Sequence, residues 1–428
     1  MGVLVLTCFW VNISLYFSTT AMVSEKRKIR QKQAAMLISI SKAIAEAGTP
    51  SHRLEAYMQI ILEKFNFSGQ FVAFPTAIIA SIGEGDNQRT YMVKTKVGDI
   101  NLGTLQRINS VINDIDNNVI NIDTALETIR HIKDNESEFP GWLMVLSYGI
   151  VGVGFSTLFA GGWLDVLSAF GLGVVTGSIA QTGEKYFRLS HVTVPFAAMV
   201  VGFLAILIHH YSSGINYVLV ALSGLIVLIP GLGITIAMRE LSTNHLVSGS
   251  GRLAGAVTVL FLLSFGLALG YLIGHRFFGD EAFIMSTPTP DWFRYLAIVI
   301  TSLAFTVIFK ARIADVFWIF LSIALAYSGS QLFKFWLEQP FISLATAVLI
   351  ATAGNIYSRV TDNPASLMQI PGIILLVPGS MGFNSLTAMY TQDTITGVQA
   401  AFSAALVAVA ISVGLLAGNL FVPPKKDL

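Results

Sequence analysis

The sequence predicts a mainly α, polytopic membrane protein. It reads as about ten transmembrane helices in two five-helix inverted repeats, preceded by a small cytosolic α/β domain. Three observations carry this. Of the 428 residues, 54% are hydrophobic and only 12% charged, and mean hydropathy is +0.68, a balance that belongs to multi-pass membrane proteins. Only residues 24–139 have the mixed composition of a water-soluble domain. A Pro-Gly dipeptide also interrupts a long apolar segment in each half of the rest, at Leu228-Ile229-Pro230-Gly231-Leu232-Gly233 and at Leu376-Val377-Pro378-Gly379-Ser380-Met381-Gly382.

Residues 1–23 are apolar, with no basic residue ahead of them and Lys26, Arg27, Lys28, Arg30 and Lys32 behind. They read either as an extra anchor or as an extension upstream of a start at Met22. Within 24–139, Met36, Leu37, Ile40 and Ile44 mark one face of a helix that Gly48 would stop. Thr49-Pro50 would start the next, which buries Leu54, Tyr57, Met58, Ile61, Leu62 and Phe65. Stretches 70–82 and 90–97 read as strands joined by a turn at Gly85-Asp86-Asn87, and 101–119 and 123–135 as two further helices. Together they suit a compact α/β domain.

From Trp142 the spans are expected near 142–160, 164–181, 191–209, 215–238, 252–274, 293–309, 313–329, 340–357, 366–390 and 398–421. Residues 140–276 make the first membrane module and 277–428 the second. Positive charge orients them. One set of loops and the tail holds Lys185, Arg188, Arg239, Arg252, Lys310, Arg312, Arg359, Lys425 and Lys426, and the other holds Arg276, Arg294 and Lys334. This bias places the N-terminal domain and the C-terminus in the cytosol. Five is odd, so the two modules would run through the membrane in opposite directions, with a break in the fourth span of each.

A proline lacks the backbone donor and clashes with the preceding turn, so it frees backbone polar groups at membrane depth. Such groups are tolerated only against protein or a polar cavity. Pro230, Gly231, Gly233, Pro378, Gly379, Ser380 and Gly382 are therefore candidate substrate contacts. Half-helix N-termini would suit the carboxylate of a small zwitterion and C-termini its ammonium. The alternative is a structural kink. Arg239 and Glu240, about two turns beyond the first break, are candidates for the substrate carboxylate and for proton coupling, or else mark an ordinary helix end. Asn384 and Ser385 stand at similar offsets after the second break. Asp165 and Asp315 could carry a proton, with helix capping the stronger reading. His209, His210 and His275 read as lying at the outer surface, with no metal site expected. Gly266, Gly270 and Gly274, and Gly173 with Gly177, have the spacing of close helix packing.

In the soluble stretch, His52 and Glu55 share a helix face beside Arg53, and Thr76 follows Pro75 within the first strand. A hydrolytic set is one reading, and a solvated helix face the stronger one. The lone cysteine, Cys8, allows no intramolecular disulfide. The chain carries no Gly-rich phosphate loop, His-Glu-x-x-His or Gly-x-Ser-x-Gly motif, which argues against an ATP-driven pump. The net charge of +1 says nothing about partners, and no nucleic-acid partner is expected. The expected surroundings are a lipid bilayer and a small-molecule substrate, without a cofactor; a homo-oligomer is compatible with all of this.

The segment Ala47-Gly48-Thr49-Pro50-Ser51-His52-Arg53-Leu54-Glu55 resembles the G-x-P-x-x-R-[LV]-E signature of the threonine/serine exporter family, and Pro75-Thr76 fits the pattern after it. Pro230-Gly231 through Arg239-Glu240-Leu241 to Ser248–Leu253 resembles the end of that family's first module. Pro371-Gly372-Ile373 through Pro378-Gly379-Ser380-Met381-Gly382-Phe383 resembles its second. Trp142 onward, with Tyr148-Gly149, resembles the fungal pheromone-regulated membrane proteins of the same family. The resemblance covers about residues 30–422 and leaves 1–23 outside. It implies ten transmembrane helices, a cytosolic N-terminal domain, and export of threonine and serine across the plasma membrane, driven by the proton-motive force and not by enzymatic chemistry. Split relatives imply a dicarboxylate (succinate) exporter as the alternative. A membrane-anchored hydrolase or a sensor using the N-terminal domain is the alternative of another class.

Overall fold

Five helices begin on the residue directly after a proline: Ser51 after Pro50, Gly141 after Pro140, Gly231 after Pro230, Asp291 after Pro290 and Phe341 after Pro340. Proline has no N–H to leave unpaired at a helix start and cannot extend a helix backwards, so it marks where each begins. The structure, a computed structural model, describes residues 31–425 apart from 66, 86–87, 97, 118, 135–138, 187–189, 191, 213, 280–286 and 377–393. The second expected break, with Pro378, Gly379, Ser380, Gly382, Asn384 and Ser385, lies outside the described residues, as do residues 1–23.

The N-terminal unit opens with helix α1 (31–46), which Gly48 ends in the left-handed conformation, φ +85°. Helix α2 (Ser51–Lys64) follows, then strands β1 (Gly69–Phe74), β2 (Ala77–Ile82) and β3 (Arg89–Lys94), and helices α3 (Leu102–Asp116) and α4 (Ile122–Asp134). The strands form one antiparallel sheet in the order β1-β2-β3. The expected single strand over 70–82 is corrected to a hairpin. Phe74 pairs with Ala77, which leaves Pro75-Thr76 as a two-residue turn. Apolar residues on both sides of the turn disguise it, although proline at its first central position is favoured there. Alternation survives within each strand: Phe71 and Ala73, then Ile78, Ala80 and Ile82, face the core. Asn101 caps α3, its side chain accepting from the Thr104 N–H at 2.9 Å.

The membrane part contains α5 (Gly141–Leu158), α6 (Trp163–Lys185), α7 (Thr193–Tyr211), and α8 (Tyr217–Leu225), which runs through a 3₁₀ turn (Ile226–Leu228) to α9 (Gly231–Ser242). Then come α10 (Leu246–Phe278), α11 (Asp291–Ile308), a 3₁₀ turn (Ile313–Asp315) with α12 (Val316–Phe333), α13 (Phe341–Thr361), α14 (Ser366–Leu376) and α15 (Thr394–Phe421). Eight of these helices are long and apolar enough to cross a membrane. The bent pair of α8 with its 3₁₀ turn and α9 would make a ninth span. α14 is a shorter apolar helix where the remaining expected span begins. Trp142, Trp163, Trp292 and Trp336 are exposed at helix ends, as aromatic residues are at membrane interfaces.

Neighbour relations repeat between α5–α10 and α11–α15. With α8 and α9 counted as one bent helix, in each set the first helix packs on the second, the second on the third and fourth, and the third on the fourth and fifth. The sets meet where α5 packs on α11 and where α9 packs on α14 and α15. One apolar cluster joins the N-terminal unit to the membrane helices: Leu37, Ile40 and Leu105 belong to the same cluster as Phe155, Phe305 and Phe309. The N-terminal unit is thus fused to the helix bundle through its core and is not tethered beside it. It sits at the end that carries the basic loops. Leu102 N–H donates to Phe309 O at 2.9 Å, and Asn109 Nδ2 to Asp362 O at 3.0 Å. The C-terminal end of α15 lies at this end too, where Arg359 donates to Pro423 O.

Candidate functional site

The first expected break is where the backbone turns. The helices on either side of Ile229-Pro230 are bent by 54°. Pro230 has no N–H to give, and the 3₁₀ turn before it closes with Ile229 N–H on Ile226 O at 3.2 Å. α9 then starts afresh at Gly231, and its ladder opens with Ile234 N–H on Pro230 O at 3.1 Å. A cavity of about 1420 Å³ lies along this break. Its wall includes Pro230, Gly231 and Gly233, with Tyr148 of α5 and Tyr327 of α12, and Pro75 and Thr76 of the N-terminal hairpin. Leu232 and Gly233 also line it, and N–H groups this early in a helix have no acceptor within the helix. A Cβ on Gly233 would meet nothing closer than Ala256 Cβ at 3.9 Å, so its neighbourhood is open.

Beyond the break, α9 ends in a dense polar junction with the N-terminal unit. Glu240 is wholly buried. Its Oε1 accepts the Ser51 N–H at 2.8 Å, at the first residue of α2. A carboxylate there meets the positive end of the helix dipole. Its Oε2 accepts from Ser248 Oγ at 3.0 Å and Arg252 Nε at 3.2 Å, and the Ser51 and Ser248 hydroxyls lie 2.6 Å apart. One carboxylate therefore ties α2, α9 and α10 together with charge-assisted bonds. Glu55 makes a second tie: Oε1 accepts the Ala73 N–H at 2.7 Å, and Oε2 lies 3.1 Å from His245 Nε2.

Arg53, 4% exposed, reaches the second half. Its Nη2 donates to Gln369 Oε1 at 2.6 Å. Gln369 Nε2 donates to Asn355 Oδ1 at 3.0 Å, and Asn355 Nδ2 to Asn419 Oδ1 at 2.8 Å. A chain of side-chain bonds therefore runs from the signature helix through α14 and α13 to α15. Arg239, 6% exposed, is on the α9 side of the same junction. His52 lies between these groups with both ring nitrogens buried and without hydrogen-bond partners among the described residues. Burial pushes its pKa down to about 2, helped by the positive charges of Arg239 and Arg53 and by His245 and Arg252. The ring is neutral.

The stronger sequence reading of His52, Arg53 and Glu55, a solvated helix face, is thus corrected. Polar residues in helical spacing suit water and a buried polar junction equally, and only the partner helices decide. Thr76, expected inside a strand, is in the hairpin turn and lines the large cavity. Gly48 lines that cavity and a smaller one beside Pro50. Glu240 and Asp165 do not come together. Asp165 is at the opposite end of the bundle, fully buried, where it accepts from Gly162 N–H at 2.8 Å and Asn216 N–H at 2.7 Å. It pins the start of α6 to the start of α8. Asp315 meets Arg312 at 3.3 Å. His209, expected at the surface, is buried against Tyr217, with Nδ1 2.9 Å from Ile215 O. Among the described residues no three metal-ligating side chains gather.

Sequence reasoning missed Gln369, Asn355 and Arg252. The first two are lone amides in apolar spans, and that alone marks them as costly and in need of partners. Ser248 and Arg252 share a helix face at i, i+4, which signals a pair aimed at one target.

Residues 35–274 match the model of a threonine/serine exporter, ThrE, and residues 294–421 match a second model described as threonine/serine exporter, ThrE. The chain is 27% identical over 459 residues to Pheromone-regulated membrane protein 10 of Candida albicans (strain WO-1), covering 95% of this chain and 41% of that protein. It is 26% identical over 421 residues to the protein of that name from Eremothecium gossypii, covering 91% of this chain and 56% of the relative. Against the Debaryomyces hansenii protein the figures are 28% over 428 residues, 91% and 42%. The chain thus spans about half the length of the curated relatives it matches. No solved structure matches it.

Proposed function

The chain belongs to the threonine/serine exporter family, and on that premise we propose that it exports small hydrophilic amino acids, threonine and serine, through the cavity at the Pro230 break. It is a multi-pass membrane protein of a transporter family. The observation that carries the reading is that cavity of about 1420 Å³, which runs from Pro75 and Thr76 to the opened backbone at Pro230, Gly231 and Gly233. Repeated neighbour relations in the two sets of helices support an inverted repeat whose halves rock about this point. Pro378, Gly379, Ser380, Gly382 and Asn384 are proposed as the matching wall from the second half.

The N-terminal unit and the C-terminus would face the cytosol of a cell bounded by the plasma membrane, since the basic loops gather at their end. Export would be driven by the proton-motive force. Glu240 is the better placed of the two proposed carboxylates. Protonating it would weaken its bonds to Ser51 and Arg252 and loosen the junction over the break. Asp165, with both oxygens on backbone N–H groups at the other end, is better read as a cap. Arg239 would attract the substrate carboxylate at the cytosolic end.

One observation favours a dicarboxylate exporter as the second reading. Arg53 brings another buried guanidinium to the wall that holds Arg239, which supplies the extra positive charge that two carboxylates need. Counterflow in proteoliposomes tests both. Vesicles preloaded with serine, threonine, succinate or nothing are given each labelled solute, with Pro230→Ala as the control. Labelled serine or threonine should accumulate only against a serine or threonine preload, and should fail to in the control. Exchange of succinate alone moves the protein to the second reading. Folded protein that exchanges none of them overturns export of these solutes.

A further inference from the structure

Four charged side chains line the large cavity among the described residues: Asp99, Glu184, Arg252 and Lys310. Two of them are engaged. Arg252 Nε meets Glu240 at 3.2 Å, and Glu184 has a partner of its own. The side chains of Asp99 and Lys310 make no ion pair or hydrogen bond to any described residue, nor to each other. Asp99 is exposed and Lys310 half-buried. Each can therefore trade water for a charged solute without first breaking an ion pair.

The two charges are mounted on loops that touch. Leu102 N–H donates to the carbonyl of Phe309, the residue before Lys310, at 2.9 Å, and a Cβ on Gly103 would run into the Lys310 carbonyl. On its other side the loop before α3 is wedged against the end of α1. A Cβ on Gly98 would strike the Glu46 carbonyl, and Asn101 N–H donates to Ala47 O at 3.1 Å. Asp99 is three residues ahead of Leu102, at most about 11 Å of chain. A lysine side chain with a small solute beyond it spans that gap. One free anion and one free cation are thus held apart at fixed places on one wall.

Charge complementarity selects the solute. A molecule that carries both signs matches this pair, whereas a dicarboxylate would set its second carboxylate against Asp99. Arg53 and Arg239 line the smaller cavity and not this wall, so Arg239 attracts from behind it. We propose that Asp99 and Lys310 select zwitterions in the large cavity, with Lys310 Nζ donating to the solute's carboxylate and Asp99 accepting from its ammonium. Tyr148, on the same wall and within reach of the charge of Asp99, offers a ring face and a hydroxyl beside the ammonium. This selection rests on the reading that the large cavity is the export route, and it names the residues that read the two ends of the solute.

Calorimetric titration of the full chain in nanodiscs tests it, with L-serine, β-hydroxypropionate (serine without its ammonium) and ethanolamine (serine without its carboxylate) as probes. Wild type should bind L-serine saturably and each singly charged analogue roughly tenfold more weakly, the size of one charge-assisted hydrogen bond. Asp99→Asn should lose that factor for L-serine and ethanolamine and keep its affinity for β-hydroxypropionate. Lys310→Gln should lose it for L-serine and β-hydroxypropionate and keep its affinity for ethanolamine. Both variants should melt with the wild type, since neither side chain has a described bond to lose. L-serine affinity that both variants retain overturns the selection. So does an equal loss for all three probes, which is the mark of a structural role, and so does a wild type that binds no L-serine. Counterflow of labelled L-serine on the same proteins separates the selection from the export reading. Wild-type half-saturation in both variants leaves export standing and overturns the selection. The crosswise binding pattern without counterflow in any of the proteins supports the selection and removes export.

Discussion

Three Pro-Gly dipeptides fall in the expected fourth spans, and at the two that lie within the described residues, Pro230-Gly231 and Pro371-Gly372, the backbone behaves differently. At Pro230-Gly231 the helix ends, bends by 54° and faces a large cavity. At Pro371-Gly372 helix α14 runs through its proline. There the Ser322 hydroxyl of α12 donates to the Met368 carbonyl, next to the Leu367 carbonyl that Pro371 leaves without its helical donor. Packing is also tight: a Cβ on Gly372 would meet Ser322 Oγ at 2.5 Å, whereas Gly233 has open space. A proline in a membrane helix therefore predicts a backbone group in need of a partner. The two sites differ in how closely neighbouring helices pack on them, tight at Gly372 and open at Gly233.

The comparison can be broken most forcefully through Glu240. The helix after the first break is anchored by this buried carboxylate, and α14 carries no charged residue. Glu240→Ala leaves Arg252 without its buried partner and exposes the start of α2. Loss of one member of a buried pair costs about 3–5 kcal/mol, so the N-terminal unit should become protease-sensitive at temperatures where the wild type resists. Retained resistance would mean that the apolar cluster alone holds the junction.

Glycine contacts give the next effect. Gly372→Val should lower the melting temperature, with a cost of about 1–3 kcal/mol for overpacking against Ser322. Gly233→Ala should fold at least as well as wild type, since alanine favours helix by about 1 kcal/mol. Equal losses in both would erase the steric distinction between the sites.

Function should separate the prolines in turn. Pro230→Ala restores a donor where the cavity needs an opened backbone, and counterflow should fall at least tenfold, about 1.4 kcal/mol in the rate-limiting barrier. Pro371→Ala, inside an intact helix, should change the rate much less. A matching loss in both would make each a hinge.

The smallest effect is electrostatic and belongs to the first site alone. His52 lies between Arg53 of its own helix, Arg239 of α9, and His245 and Arg252 of the segment after it, with a pKa held near 2. In the unfolded chain the ring titrates at its ordinary value of about 6.5. The native form thus binds fewer protons below that pH, so stability from the neutral ring is fully present above it and is lost as pH falls. Between pH 7 and 6 the loss is roughly 0.5–1 kcal/mol. Melting of wild type against His52→Leu across that range should show the slope in the former only.

Much of this was legible in the chain before any coordinates. Apolar length located the spans because a bilayer imposes a minimum on each. Pro50 marked a helix start because the rule is local. Pro230-Gly231 marked the break because a missing donor is covalent chemistry. The short motifs around Gly48–Glu55 and Pro230–Leu241 placed the chain in its family. What no local rule carried was partnership. Pro75-Thr76 became a turn because two apolar strands found each other across it. Ser51, Arg53 and Glu55 turned from water because Glu240, Gln369 and His245, between 189 and 316 residues away, offered them partners, and His52 was carried in with them. Polarity is a property of a residue and can be read from the sequence; burial is a property of a neighbourhood, and for this protein the tertiary structure alone decided that the family's signature helix is buried against the helices that form its candidate pathway.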